Sequence, residues 1–202
     1  MPRTSDGRER LIEAGVELFS QRPYGSIGVA ELCTRAGVNK GSFYYFFASK
    51  EALALAVIDR HWTWQKGVWA GILDGPGSLL DRLRGLFDAT AQMQVDAVTG
   101  TGWVAGCLFG NLALEVSSQN EPVRLRLQEI FDEQIAMIAS RLASAVESGE
   151  LRSVTDVDGA AKAIVAQLEG LVLFAKVFND PSQLDALWQN SLALLGLAPA
   201  RA

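Results

Sequence analysis

Apolar residues along this chain recur every three or four positions rather than every second one, and Gly, Pro, Asn and Asp interrupt them at intervals. That spacing predicts helices throughout and no sustained strand. The first helix runs from about Ser5 to Gln21 with Leu11, Ile12, Val16, Leu18 and Phe19 inward, and Pro23, Tyr24 and Gly25 end it. A short helix follows near Val29 to Ala36, Gly37 stops it, and Asn39 caps a third that begins at Lys40. Ser49 caps a fourth, with Glu51 in its first turn, reaching toward Ile72. Gly75-Pro76-Gly77 separates it from a fifth helix through Met93, and Thr99 to Gly102 reads as a glycine-rich joint. A sixth spans about Val104 to Ser117, and Asn120 and Pro122 open a seventh that Gly149 closes. The eighth covers roughly Asp156 to Phe178, and Asp180-Pro181 starts the ninth, with Asp as cap and Pro at the first helical position.

The eighth helix is apolar around almost its whole circumference between Ala160 and Val177. Such a helix is buried on most sides, yet as the penultimate element it has few neighbours in its own chain. A symmetric copy would supply the cover, so the pattern predicts a homodimer through the last two helices in a two-fold four-helix interface. The alternative is an internal core helix in a monomer.

Composition narrows the class. Of 202 residues, 49% are hydrophobic and 20% charged, which suits a globular chain with a real core. No apolar run approaches the ~20 residues that span a bilayer. The richest stretch, Ala163 to Ala175, is broken by Gln167 and Glu169, so no membrane partner is expected. The polar N-terminus lacks the apolar core of a secretory signal, and the two cysteines, Cys33 and Cys107, lie far apart. With a single histidine, His61, no metal site and no cofactor are expected, and the compartment reads as reducing cytoplasm. The net charge of −5 is unevenly spread: residues 1–50 hold seven Lys/Arg against five Asp/Glu, and residues 51–202 hold eleven against eighteen. A locally basic head on an acidic body is compatible with DNA binding, because counterion release depends on the contacting charges.

The stretch from Val29 to Lys50 carries the most information. Two short helices joined by a tight glycine turn are what a helix-turn-helix requires, and Gly37 supplies the residue tolerant of positive φ. Val29, Leu32, Cys33, Val38, Phe43 and Phe47 are placed to pack against the first helix, while Lys40, Gly41, Ser42, Tyr44 and Tyr45 form an outward face suited to a major groove. The run Ala-Gly-Val-x-Lys-Gly-Ser-Phe-Tyr-Tyr-x-Phe-x-Ser-Lys-Glu-x-Leu resembles the signature of the TetR family of transcriptional regulators, over about 50 residues. The resemblance implies an all-α chain of about nine helices: a helix-turn-helix DNA-binding domain at 1–50 and an effector-binding and dimerisation domain at 51–202. It implies a homodimer that binds palindromic double-stranded operator DNA, as a repressor. By position it assigns Lys40, Gly41, Ser42 and Tyr44 to bases or nearby backbone, and Tyr45 and Lys50 to phosphates. The family usually offers Thr followed by Ser or Thr before the second helix; Ile27 and Gly28 stand there, leaving Ser26 or backbone N–H groups to contact phosphate. Phe46 replaces the usual histidine and Pro23 the usual glycine.

In the body, Gly106-Cys107-Leu108-Phe109-Gly110-Asn111-Leu112, followed by Glu115, resembles a TetR subgroup whose members respond to reactive electrophiles or small unsaturated acids. That likeness makes Cys107 a candidate sensing thiol. The plainer reading is a small buried hydrophobe, since the local sequence holds no Lys or Arg and only a nearby helix start would activate the sulfur. A reversible apolar small-molecule effector is the competing reading. Trp62, Trp69, Trp103, Phe131 and Phe174, with Trp64, Met93 and Phe109, supply aromatic or apolar lining, and Asn111, Gln134, Gln167 and Glu169 supply polar groups. An enzyme is disfavoured, because a cysteine nucleophile needs a positioned base and His61 stands in no motif. A DNA-architectural protein without ligand control is the other rival.

Overall fold

The computed structural model describes residues 4–152 and 154–197, and among them every regular element is helical. The elements are α1 (Thr4–Gln21), a 3-10 turn (Tyr24–Ser26), α2 (Val29–Ala36), α3 (Lys40–Phe46), α4 (Lys50–Leu73), α5 (Leu79–Thr101), α6 (Leu108–Val116), α7 (Glu121–Glu147), α8 (Val157–Phe178), a second 3-10 segment (Pro181–Asp185) and α9 (Ala186–Leu194). They form two compact units: Met1–Gln65 with Cys107–Ile130, and Lys66–Gly106 with Phe131–Ala202.

The first unit is built around Leu11, Phe19, Ile27, Leu32, Phe43 and Leu53, all buried. Local chemistry sets its boundaries. Gly37 takes φ 62°, and the next N–H, that of Val38, donates to the Cys33 carbonyl at 3.0 Å, closing α2. Asn39 Oδ1 accepts the Ser42 N–H at 2.7 Å, and Ser49 Oγ accepts the Ala52 N–H at 3.1 Å, so two side-chain caps start α3 and α4.

In the second unit, Ser78 and Asp81 form a reciprocal capping box at the start of α5. The Ser78 hydroxyl and N–H together hold the Asp81 carboxyl below the usual carboxylate range. α8 buries Ala161, Ile164, Val165, Leu168, Val172 and Ala175 on one side and leaves Leu173, Phe174, Val177 and Phe178 exposed on the other.

Three helix boundaries differ from the sequence reading. α5 continues past Met93 to Thr101, because the helix finds no residue at positive φ until Gly102, at φ 82°, makes the stop; the Thr99 and Thr101 hydroxyls fold back onto carbonyls four residues earlier. α6 begins at Leu108 rather than near Val104, because the segment before it is held by side chains instead of helical bonds. Asn179, itself at φ 52°, accepts the Val104 N–H at 2.9 Å and donates to the Gly102 carbonyl at 3.0 Å. Buried Gln94 accepts the Gly106 N–H at 3.0 Å and donates to its carbonyl at 3.4 Å, and Lys176 Nζ donates to the Ala105 carbonyl at 3.1 Å. Asp180 does cap and Pro181 does follow it, but they open a 3-10 segment, and α9 starts only at Ala186.

Candidate nucleic-acid interface and sensing helix

The third helix and its C-cap Phe47 have a buried and an exposed side. Phe43 and Phe47 lie in the core, while Tyr44 is 52% and Tyr45 74% exposed. Lys40 and Gly41 are exposed and Ser42 is half-buried, its N–H given to the Asn39 cap. A Cβ at Gly41 would stand 3.3 Å from that cap oxygen, so the small residue keeps the helix start uncrowded. The arrangement offers two phenol hydroxyls and an ammonium from one short helix, groups able to bond base edges or phosphates.

The turn ahead of α2 is less open. Ser26 is exposed, and its hydroxyl donates to the Pro23 carbonyl at 2.8 Å. Lys50, placed by the sequence among phosphate contacts, turns its ammonium inward: it donates to the carbonyls of Tyr24 at 2.8 Å and Ile27 at 2.9 Å and lies 3.9 Å from the centre of the Tyr24 ring. Burial pushes this ammonium below the ordinary lysine value, with Glu115 opposing the shift. Burial, then Glu51 and Glu115, raises the Tyr24 phenol. Sequence reasoning did not foresee this role for Lys50, because its partners are set by tertiary packing.

Cys107 is the N-cap of α6, not a residue within it. It is half-buried, and its Sγ accepts the Gly110 N–H at 3.5 Å, facing the positive end of the helix dipole. Cys33 is buried in the core, and burial raises its thiol.

The candidate effector residues fall in both units. Trp62, Cys107 and Asn111 belong to the first, where the Trp62 and Phe109 rings sit edge to face at 6.1 Å and Asn111 is half-buried. Trp69, Trp103, Phe131 and Phe174 belong to the second. Trp69 is buried and Phe131 half-buried, whereas Trp103 is 70% and Phe174 52% exposed. Gln134 is fully buried, and neither its amide oxygen nor its nitrogen has a hydrogen-bond partner among the described residues.

Residues 11–57 match the family model of bacterial regulatory proteins, tetR family, and residues 80–190 match that of the tetracyclin repressor-like C-terminal domain. The chain belongs to the TetR family. It is 33% identical over 186 residues to the transcriptional regulator AcuR of Cereibacter sphaeroides, covering 92% of this chain and 83% of that one. To the HTH-type transcriptional repressor NemR of Escherichia coli it is 30% identical over 189 residues, 93% of this chain and 91% of NemR. A crystal structure of reduced E. coli NemR superposes with a TM-score of 0.81 at 28% identity, over 94% of this chain and 97% of that one. This TetR-family chain is therefore a DNA-binding transcription regulator with an N-terminal helix-turn-helix. Among its described residues no helix is long and apolar enough to cross a membrane.

Proposed function

We propose that this protein is a repressor that grips a near-palindromic operator as a homodimer and lets go when a small-molecule effector binds or Cys107 is modified. The observation that carries the reading is the exposed face of α3, where Lys40, Gly41, Tyr44 and Tyr45 stand clear of a core that holds Phe43 and Phe47. For the dimer, the support is the exposed apolar strip Leu173, Phe174, Val177 and Phe178 on α8. Two such heads would sit about one turn of DNA apart, ~34–36 Å. An effector that favours another spacing by a few kcal/mol releases the operator.

The half-buried position of Cys107 at the helix start supports its reaction with an electrophile. With N-ethylmaleimide, the sulfur forms a bond to one alkene carbon, and the neighbouring carbon takes up a proton from solvent in place of the one the thiol lost. NemR, to which the chain is similar, has been crystallised in a reduced form. For a reversible effector, the amide of Gln134 is a candidate polar group, being buried and without a hydrogen-bond partner among the described residues.

The test is operator binding before and after treatment with N-ethylmaleimide, on duplexes selected from a random pool by the wild-type protein, beside Cys107→Ser. Binding lost on treatment, with the variant immune, establishes cysteine control. Binding that survives treatment makes Cys107 structural and moves the search to apolar ligands with one amide-recognising group. Failure to select any duplex sinks the repressor reading.

A further inference from the structure

The turn that joins α1 to α2 is held from outside the helix-turn-helix. Its own backbone supplies two bonds, from the Ser26 N–H to the Pro23 carbonyl at 3.0 Å and from the Ile27 N–H to the Tyr24 carbonyl at 3.2 Å. The two remaining N–H groups, those of Tyr24 and Gly25, both donate to the Glu115 carboxylate, at 2.7 and 2.6 Å. Glu115 is 90 residues further along the chain than Gly25, on α6, near the opposite end of that helix from Cys107. Lys50 reaches the same turn through the carbonyls of Tyr24 and Ile27. One carboxylate from α6 and one ammonium from α4 thus complete the hydrogen bonding of a segment too short to hold itself. A second tie lies close by: Asn120, the cap of α7, donates to Glu51 in the first turn of α4 at 2.7 Å.

We infer that Glu115 is a positioning residue for DNA recognition, fixing through α6 the turn that seats α2 and α3, and that control of the reading face passes through this carboxylate. The second half rests on the reading of α6 as the sensing helix. A carboxylate bonds two consecutive N–H groups only while its helix keeps one register, and nine helical residues make a rod of only about 13 Å. A displacement at the Cys107 end therefore reaches Glu115 undamped. Gly25 fits the same design: a Cβ there would stand 3.1 Å from the Glu115 oxygen, so the absence of a side chain admits the carboxylate. A merely structural tie would make a different prediction, since weakening it would lower stability and leave DNA affinity and effector response alone.

The experiment compares wild type, Glu115→Gln and Gly25→Ala as full chains, on a duplex selected by the wild type, across a salt series and with or without N-ethylmaleimide. Hydrogen exchange at Tyr24 and Gly25 is followed in parallel. Glu115→Gln keeps one acceptor and the shape but loses the charge. We expect operator binding about tenfold weaker, from the loss of charge-assisted bonds. The slope against salt should be unchanged, because no phosphate contact is removed. Exchange of the two amides should quicken and the response to N-ethylmaleimide should shrink. Gly25→Ala should move in the same direction and stands in if Glu115→Gln does not fold. Binding of both variants within twofold of wild type, or a changed salt slope, overturns the positioning role. Weaker binding with a full response to N-ethylmaleimide overturns the control role. A wild type that binds its duplex but ignores N-ethylmaleimide removes cysteine sensing and leaves the positioning role to be decided by affinity and exchange. A wild type that selects no duplex overturns the repressor reading and this inference with it.

Discussion

Between about pH 6.5 and 4, His61 should make this protein less stable as acid is added. His61 lies on α4 with its ring 5.4 Å from that of Trp64 and 5.3 Å, edge to face, from that of Phe109 on α6. It borders a cleft of about 440 Å³ with Glu13, Val16, Glu17, Arg60 and Trp64. Glu17 is engaged by Arg35, whose Nε donates to it at 2.8 Å. Burial pushes the imidazole down from 6.5 to about 4. The folded chain therefore refuses a proton that the unfolded chain accepts, and stability falls as pH drops from about 6.5 toward 4. The full depression corresponds to roughly 3 kcal/mol, of which about 2 kcal/mol is lost by pH 5. The assay is urea unfolding of wild type and His61→Phe at about pH 7.5 and pH 5, at one protein concentration, with the linear extrapolation to water. Both chains share every other titration, so the wild type should lose about 2 kcal/mol more than the variant. Parallel losses would show that the imidazole is protonated in the fold at pH 5 and would refute the reasoning.

Two further outcomes follow from burial. Gln134→Met keeps the side-chain volume and removes an unpartnered buried amide, so the ligand-free protein should gain about 1–3 kcal/mol and melt several degrees higher. A lower melting point would mean the amide is bonded in solution. Val177, 68% exposed on α8, should tolerate Glu in a lone chain but not in a two-fold apolar interface; Val177→Glu should sediment as a folded monomer, and an unchanged dimer would exclude this face.

What the sequence made legible was local. The Gly37 turn, the Asn39 and Ser49 caps and the burial split of α3 each depend on a few adjacent residues, and each stands where the pattern put it. The reading failed where distant side chains replace helical bonds. Nothing near Val104 reveals that Asn179, 75 positions on, takes its N–H and delays α6 until Leu108. Lys50 stands in a motif that points to phosphate, and only tertiary packing turns it to Tyr24 and Ile27. Aromatic type did not separate core from surface either: Trp62 and Trp69 are buried, while Trp103 and Phe174 face solvent in the single chain.

The position of Cys107 gives the proposed switch a direction. The chain passes from one compact unit to the other at the Gly106–Cys107 peptide. The segment before it is held by Asn179, Lys176 and Gln94, and Gln94 is only 3% exposed. The helix after it is held to the α1–α2 turn by Glu115, a half-exposed carboxylate. Breaking a buried amide's bonds strands a desolvated group, at about 1–3 kcal/mol, whereas a half-exposed carboxylate trades its N–H partners for water at a smaller cost. In the proposed switch, a group added to Cys107 would be accommodated on the α6 side, and the first bonds to yield would be those to Tyr24 and Gly25. Under this proposal the signal runs toward the reading head because that is the weaker of the two attachments.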